Sequence, residues 1–326
     1  MRVLITGSNG FIGSSLVRDS IMRGYRVRCL VRKTSDLSLL QGLDVEWVYG
    51  ELRDPETLTE AVRGVDRVYH LAGVTRGRTA LDYFQGNHQA TVNLLQACER
   101  YGDDQQKVIF ASSQAAGGPS VDLRAVSESD TPHPISLYGQ SKLRAEEAVL
   151  QFSRRRPATI IRPPSVYGPG DKDFLILFQN INRRFLPMVG RGDQRISLVF
   201  IDDLIAGIQL AADKDQANGR IFYLCGDQDA SFAEIAQAIA EALDKRPITL
   251  HLPLTAVEWV TRLAALISNW SGKASILNPD KLNEMMQPAW LCSNRKAKEE
   301  LGFRPLVNLW EGMAKTAAWY RDKNWL

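Results

Sequence analysis

The chain has few cysteines and histidines, and its charge is nearly balanced. Its 326 residues include 4 cysteines and 4 histidines, and 40 basic residues against 37 acidic ones give a formal charge of +3. This nearly equal number of basic and acidic residues argues against a nucleic-acid-binding protein. The cysteines stand far apart, without a CxxC pair or a His/Cys spacing typical of metal ligands. We therefore expect buried free thiols and no metal site.

Long hydrophobic runs are also missing. The best candidate for a membrane span, residues 254–270, is interrupted by Glu258 and Arg262 and is shorter than the ~20 apolar residues that a span needs. At the N-terminus, Arg2 leads directly into an apolar strand, which is unlike a signal peptide. Together with the scattered cysteines, this predicts a cytoplasmic protein without a transmembrane segment.

Short apolar runs alternate with helical patterns through the first half of the chain. This alternation is typical of βαβ units, and strands that are apolar throughout fit a parallel sheet covered on both faces. We predict an α/β fold with a Rossmann-type, doubly wound parallel sheet. The predicted strands are residues 3–5, 26–31, 46–49, 67–71, 107–111 and 159–162, and the predicted helices are residues 11–23, 55–63, 88–101 and 137–154.

The pattern becomes mostly helical after residue 165. We therefore predict two domains, residues 1–165 with the sheet and residues 166–326 as a smaller, mostly helical substrate lobe, of which residues 196–224 return to the first domain. The predicted strand of this half is 196–201, and its predicted helices are 174–185, 202–212, 231–243, 255–269, 279–286, 294–300 and 309–321.

A glycine-rich turn follows the first strand and opens the first helix. At such a turn, glycines permit a tight bend, close approach to a pyrophosphate and close helix–strand packing, while the helix N-terminus attracts phosphate. This context predicts a dinucleotide-binding site. The residues of the turn that we expect to contact the dinucleotide are Gly7, Asn9, Gly10, Phe11, Ile12 and Gly13.

A phenol and an ammonium group lie four residues apart at Tyr138 and Lys142, on one face of a predicted helix. A phenol with its usual pKa near ~10 is a poor base at neutral pH. A nearby cation favours the phenolate and lowers the pKa. We therefore predict that Tyr138 exchanges a proton with a substrate while a hydride moves to or from a nicotinamide.

These motifs, in this order, resemble the extended short-chain dehydrogenase/reductase family and its 3β-hydroxysteroid dehydrogenase-like branch. The resemblance covers essentially the whole chain. It implies an NAD or NADP cofactor and a homodimer formed through helices 88–101 and 137–154. Besides the glycine turn and the Tyr138–Lys142 pair, the segments that carry it are His70-Leu-Ala-Gly-Val74, Asn87 to Asn93, Ser112-Ser113, and Arg162-Pro-Pro-Ser-Val-Tyr-Gly-Pro-Gly170.

The resemblance also implies individual roles. Ser113 is the expected partner of the substrate carbonyl oxygen, and Lys142 is expected to hydrogen-bond the nicotinamide ribose. Glu51 and Leu52 stand where the family usually has Asp-Leu beside the adenine. The other residues that the resemblance places near the cofactor, besides Tyr138 and Lys142, are Leu71, Ala72, Gly73, Asn87, Ser112, Pro163 and Ser165.

Two cations at the end of the second predicted strand bear on which dinucleotide binds. An acidic residue there would favour NAD, but this chain has Arg32 and Lys33. Arginine holds a phosphate group with paired N–H donors, so the pair suits the 2′-phosphate of NADP. We predict NADP, with NAD and a merely exposed basic turn as the alternative.

The segment after Arg162 bears on the substrate. Sugar-nucleotide enzymes of the family tend to have an aromatic pair and Asn there, and an Arg in a later strand, whereas this chain has Pro163-Pro164-Ser165 and an Arg195 that is offset by one residue. Together with an apolar stripe over residues 254–270, this favours net oxidation or reduction of a carbonyl/alcohol pair on an apolar small molecule. The alternatives are an NAD-dependent nucleotide-sugar epimerase or dehydratase, and a non-catalytic dinucleotide-sensing protein.

Overall fold

The computed structural model describes residues 1–190, 192–252 and 279–326. Its strands are β1 (Arg2–Thr6), β2 (Arg26–Val31), β3 (Glu46–Tyr49), β4 (Arg67–His70), β5 (Lys107–Ala111), β6 (Ala158–Arg162), β7 (Ser165–Tyr167), β8 (Phe185–Val189), β9 (Arg195–Phe200), β10 (Arg220–Tyr223), β11 (Asp229–Ser231), β12 (Ile248–Leu252) and β13 (Ala289–Trp290). Seven of these strands form one parallel sheet in the order β10-β6-β5-β4-β1-β2-β3.

Helices cover both faces of this sheet. Alternate residues of β1 face opposite sides, so that Val3 and Ile5 pack in one core cluster and Leu4 in another. This arrangement confirms the predicted Rossmann-type fold. The described helices are α1 (Phe11–Met22), α2 (Leu58–Val62), α3 (Ala80–Tyr83), α4 (Ala90–Tyr101), α5 (Gln114–Gly117), α6 (Leu137–Phe152), α7 (Asp173–Asn182), α8 (Ile201–Asp213), α9 (Phe232–Leu243), α10 (Pro279–Met285) and α11 (Leu309–Asp322).

The second half of the chain contains more strands than the sequence predicts. β9 pairs with β7, β11 and β13, and β8 pairs with β12 in a separate parallel pair. These strands have three to six residues or, in β13, two, which is too short for a clear periodic pattern. β10 joins the large sheet beside β6, and α8 packs against α1. The boundary near residue 165 stays a prediction.

Two of the sequence predictions concern residues that the structure does not describe. The predicted helix 255–269 and the apolar stripe 254–270 lie outside the described residues. Among the described helices, none has the length and apolar character needed to cross a membrane. All four cysteines are buried free thiols.

Candidate functional site

The ends of the sheet strands bring the predicted site residues to one edge. β1 and β4 are neighbours although they are not consecutive, so the chain leaves them in opposite directions and opens a crevice there. The backbone N–H of Ala72 donates to Thr6 Oγ1 at 3.3 Å, and that of Leu71 donates to the Thr6 carbonyl at 3.2 Å. The glycine turn after β1 therefore lies against the loop after β4.

The glycine turn has no room for side chains at two of its positions. Gly7 has φ +70°, and an added Cβ would lie 2.7 Å from the Ala72 nitrogen. A Cβ at Gly13 would lie 2.0 Å from the Gly7 carbonyl oxygen. Gly10 is the N-cap of α1 and provides no side-chain cap, so the first-turn N–H groups remain available to an anion. This cradle fits the pyrophosphate of a dinucleotide.

The basic turn after β2 lies beside the glycine turn. Asn9 Nδ2 donates to the Asp36 carbonyl at 3.2 Å, which ties the two turns together. The side chains of Arg32 and Lys33 are exposed and form no ion pair within the described part of the chain. Both cations are therefore free to meet a phosphate at this end of the crevice.

The loops after β3 and β4 are held by amide side chains from the helical segment behind them. Asn93 Nδ2 donates to the Leu52 carbonyl at 2.8 Å, whereas Glu51 is exposed. Asn87 is buried, accepts from Val74 N at 2.7 Å and donates to the Val74 carbonyl at 3.0 Å and to Ser141 Oγ at 2.8 Å. These bonds occupy both the oxygen and the nitrogen of the Asn87 side-chain amide. Asn87 therefore fixes the backbone directly after the Leu71–Gly73 loop.

His70 ends β4 in a fully enclosed position. Its Nδ1 lies 2.8 Å from Thr6 Oγ1 and its Nε2 lies 3.0 Å from Thr91 Oγ1. Burial, and then the charge of Lys142, lower the pKa of this imidazole to about 3. His70 is therefore neutral at physiological pH and acts as a structural link between β1, β4 and α4.

Because of His70, we expect the free energy of unfolding to fall at acidic pH. Between about pH 6.5 and about pH 3 the unfolded chain binds a proton that the folded protein excludes, so the free energy of unfolding falls as the pH falls through this window. Between about pH 7 and pH 4 we expect the wild type to lose ~3 kcal/mol more than His70→Asn. Urea unfolding at the two pH values measures this difference, with the exposed His133→Asn as control. Equal losses in wild type and His70→Asn would contradict the assignment.

Ser113 and Tyr138 face each other across the crevice. Ser113 is the N-cap of α5, and its Oγ accepts from Ala115 N at 3.2 Å. Tyr138 lies in the first turn of α6, and its ring centroid is 6.3 Å from that of Tyr83. Burial raises the pKa of Tyr138 to about 12, the Ser113 hydroxyl opposes this shift through a hydrogen bond, and the charge of Glu284 adds to it.

This raised pKa corrects the sequence-based expectation that Lys142 lowers it. Burial lowers the pKa of Lys142 itself to about 7, so the ammonium is only partly charged at neutral pH. Lys142 Nζ donates to the Ala111 carbonyl at 2.6 Å and lies 4.3 Å from the centroid of the Phe110 ring. In the protein alone, desolvation is therefore the largest influence on the pKa of each of the two groups.

A buried ion pair that the sequence analysis missed lies behind Lys142. Glu146 and Arg162 are 1% and 2% exposed, and the guanidinium binds both carboxylate oxygens, at 2.8 and 2.6 Å. Arg162 Nη1 also donates to Tyr223 Oη at 3.0 Å. Glu146 stands one helical turn after Lys142 and raises its pKa, against the effect of burial. An Arg that ends an apolar strand and a Glu four residues after the Lys are the signals that could have pointed to this pair.

The remaining predicted residues flank the catalytic candidates. Ser112 is buried, and its Oγ has no hydrogen-bond partner in the described structure. Pro163 follows β6, and its carbonyl accepts from Gln114 N at 2.9 Å, which positions the start of α5. Ser165 is exposed in β7. Ser112 thus offers a free hydroxyl beside the crevice, whereas Pro163 acts through its backbone.

Comparisons with known proteins agree with this geometry. The model of the "NAD dependent epimerase/dehydratase family" matches residues 3–225. A ceramide reductase from Caulobacter vibrioides is 28% identical, with 99% of this chain and 96% of that protein covered. A 3 beta-hydroxysteroid dehydrogenase/Delta 5-->4-isomerase from Mycobacterium tuberculosis is also 28% identical, with 98% and 90% covered.

A solved structure is similar as well. The structure of MoeE5 in complex with UDP-glucuronic acid and NAD has a TM-score of 0.78 and 26% identity, with 99% of this chain and 100% of that chain covered. The glycine cradle, the Ser113–Tyr138–Lys142 set and the family match over most of the chain lead to one conclusion. The chain belongs to the NAD-dependent epimerase/dehydratase family of extended short-chain dehydrogenases/reductases and is an NAD(P)-dependent enzyme.

Proposed function

We propose that the protein is a reductase or dehydrogenase that exchanges its nicotinamide cofactor and acts on a carbonyl or secondary alcohol of an apolar molecule. The observation that carries this proposal is the placement of Ser113, Tyr138 and Lys142 beside the glycine cradle, at one edge of the sheet. When bound, the nicotinamide ring gives or takes the hydride.

Each of the three side chains has a task that its surroundings support. Ser113 donates a hydrogen bond to the substrate oxygen and polarises the carbonyl. Tyr138, with its pKa raised to about 12, is protonated at neutral pH and gives its proton to the oxygen as negative charge develops there. Lys142 would hydrogen-bond the nicotinamide ribose of a bound cofactor. The protonated phenol is the form of Tyr138 that carbonyl reduction requires.

The surroundings of Arg195 favour an apolar substrate over a sugar nucleotide. Arg195 Nε lies 2.5 Å from Asp229 Oδ2, so a carboxylate partly offsets the positive charge that a diphosphate would need at this position. Pro163 and Pro164 take the place of an aromatic pair near the crevice. The ceramide reductase and the hydroxysteroid dehydrogenase are named for lipid substrates, which supports the same proposal.

An epimerase or dehydratase is the second candidate. It is favoured by the similarity to MoeE5, whose complex contains a sugar nucleotide and NAD. Such enzymes return the hydride to the same substrate, so they have no need to release the cofactor. The two candidates therefore differ in net consumption of NADPH.

The test is NADPH oxidation, followed by absorbance, with a panel of steroid ketones and long-chain ketones. We expect net turnover of at least one apolar ketone by the wild type and its loss in Tyr138→Phe. Equal, low activity of both proteins on every ketone and on the corresponding alcohols with NADP would overturn the catalytic assignment. Turnover of a sugar nucleotide without net change in the dinucleotide would favour the second candidate.

NADP is the cofactor that the basic turn supports. Replacing Arg32 and Lys33 together by Glu removes two cations that are exposed and unpaired within the described residues, so little else should change. We expect the affinity for NADPH to fall by roughly ten- to a hundred-fold, because a charge-assisted phosphate contact is lost and repulsion is added. Affinity for NADH should stay the same or rise. Fluorescence titrations with the two dinucleotides measure this, and an equal loss for both would contradict a role in 2′-phosphate binding.

We also propose a homodimer and a cytoplasmic location. Leu94, Cys98 and Val149 are buried in the core, so a dimer through α4 and α6 would use other residues, such as the half-buried Leu143. Four buried free thiols fit a reducing compartment. Sedimentation of the purified protein tests the dimer.

A further inference from the structure

Within the described residues, the β8–β12 pair packs against the core on only one of its faces. Leu186 and Met188 are buried in the same core as Ala236 of α9. On the opposite face, Phe185 is paired with Ile248, and both are exposed, by 43% and 76%. Leu250, two residues further along β12, shares this side and is 48% exposed. Phe185, Ile248 and Leu250, here named the β8–β12 face, form an apolar surface that no other described residue covers completely.

Cations collect at one end of the β8–β12 face. Arg183-Arg184 precede β8 and Lys245-Arg246 lie shortly before β12, and because the strands are parallel these two pairs lie at the same end. The Ile248 N–H donates to the Arg184 carbonyl at 2.9 Å, which joins them directly. Within the described residues none of the four cations pairs with a carboxylate. Glu241 and Asp244 at the end of α9 are the acids nearest in sequence, so the local balance remains positive.

We propose that the β8–β12 face and its four cations dock the enzyme on an anionic membrane surface. Apolar side chains that enter the boundary between headgroups and acyl chains, next to cations that meet anionic lipid, are the combination that holds a protein on a bilayer. In a two-fold dimer through this face, a second copy would bring its own four cations to the same interface, and these like charges would repel each other. An anionic lipid surface attracts all four cations and accepts the three apolar side chains.

Vesicle co-flotation of the full chain tests this proposal without any substrate, so its result is independent of the proposed reaction. We expect the protein to float with vesicles of phosphatidylcholine and phosphatidylglycerol, to bind pure phosphatidylcholine much more weakly, and to be released by high salt. Arg184→Glu with Arg246→Glu should weaken binding to the anionic vesicles by about ten-fold or more. Ile248→Thr with Leu250→Thr, which keeps strand-forming residues, should weaken binding to the anionic vesicles by ~ten-fold at low salt.

The matched control changes the same residue types elsewhere. Arg154 is exposed and Leu306 is 81% exposed, both away from β8 and β12, so Arg154→Glu with Leu306→Thr should bind like the wild type. Thermal unfolding of all variants verifies that they are folded. The proposal is overturned if the control variant loses as much binding as the others, or if the protein binds neither kind of vesicle. It is also overturned if the surface variants change a dimer into a monomer and leave vesicle binding unchanged.

Discussion

Tyr138→Phe is expected to lower kcat for carbonyl reduction by ~10²- to 10⁴-fold, the range in which a positioned proton donor contributes. The phenol hydrogen-bonds the Ser113 side chain, and its raised pKa keeps the proton available at neutral pH. Removing only the hydroxyl keeps the ring that packs beside Tyr83. Affinity for NADPH should therefore stay within about two-fold, and thermal stability should change little.

A lower kcat with an unchanged affinity for NADPH is the result that identifies Tyr138 as a proton donor. Steady-state kinetics with the best ketone of the panel and NADPH titration of the same preparation measure the two quantities. Tyr83→Phe is the matched control, because it removes a hydroxyl from the neighbouring ring and should leave kcat within a few-fold. A Tyr138→Phe enzyme with wild-type kcat, or one that loses NADPH binding and turnover together, would contradict the assigned role.

Glu146→Ala is expected to cost ~3–5 kcal/mol of unfolding free energy. The change leaves the Arg162 guanidinium buried without its carboxylate partner, and both groups are almost completely enclosed. Tyr223 Oη remains as an acceptor but carries no compensating charge. Because Glu146 also raises the pKa of Lys142, its loss should lower that pKa further. Urea unfolding at neutral pH measures the stability change.

An exposed pair on the same helix provides the comparison. Arg144 and Glu147 are 63% and 54% exposed, so Glu147→Ala should cost less than ~1 kcal/mol. The double variant Glu146→Leu with Arg162→Met should be more stable than Glu146→Ala, since it buries no unpaired charge. Similar losses for Glu146→Ala and Glu147→Ala would show that the buried pair does not contribute as we expect.

The sheet and its flanking helices were predictable because each element has a strong local pattern. Apolar strands such as β1 and β5 are continuous runs bounded by turn residues, and α6 begins at a serine N-cap. The short strands β7, β11 and β13 exist because of pairing with β9, which lies far from all three of them in sequence. Tertiary pairing of this kind leaves little local signal.

The sequence motifs predict which residues form the candidate site, and that assignment stays a prediction. The pKa values of Tyr138 and Lys142 depend on burial that no motif spacing reveals. The role of Gly117 likewise depends on tertiary packing. A Cβ there would lie 2.0 Å from Tyr223 Oη, so this glycine makes room for the buried Arg162 network.

Exchange of the dinucleotide between turnovers would distinguish a reductase or dehydrogenase from an epimerase or dehydratase, and the cofactor content of the purified protein tests it. Purified protein is denatured, and any released dinucleotide is identified and quantified against the protein concentration. For an enzyme that exchanges its cofactor, we predict little bound dinucleotide, because a co-substrate must dissociate after each turnover. NADP should be the main species, because Arg32 and Lys33 flank the glycine cradle. Near-stoichiometric NAD would contradict it, since a tightly held NAD is what an epimerase or dehydratase recycles within each turnover.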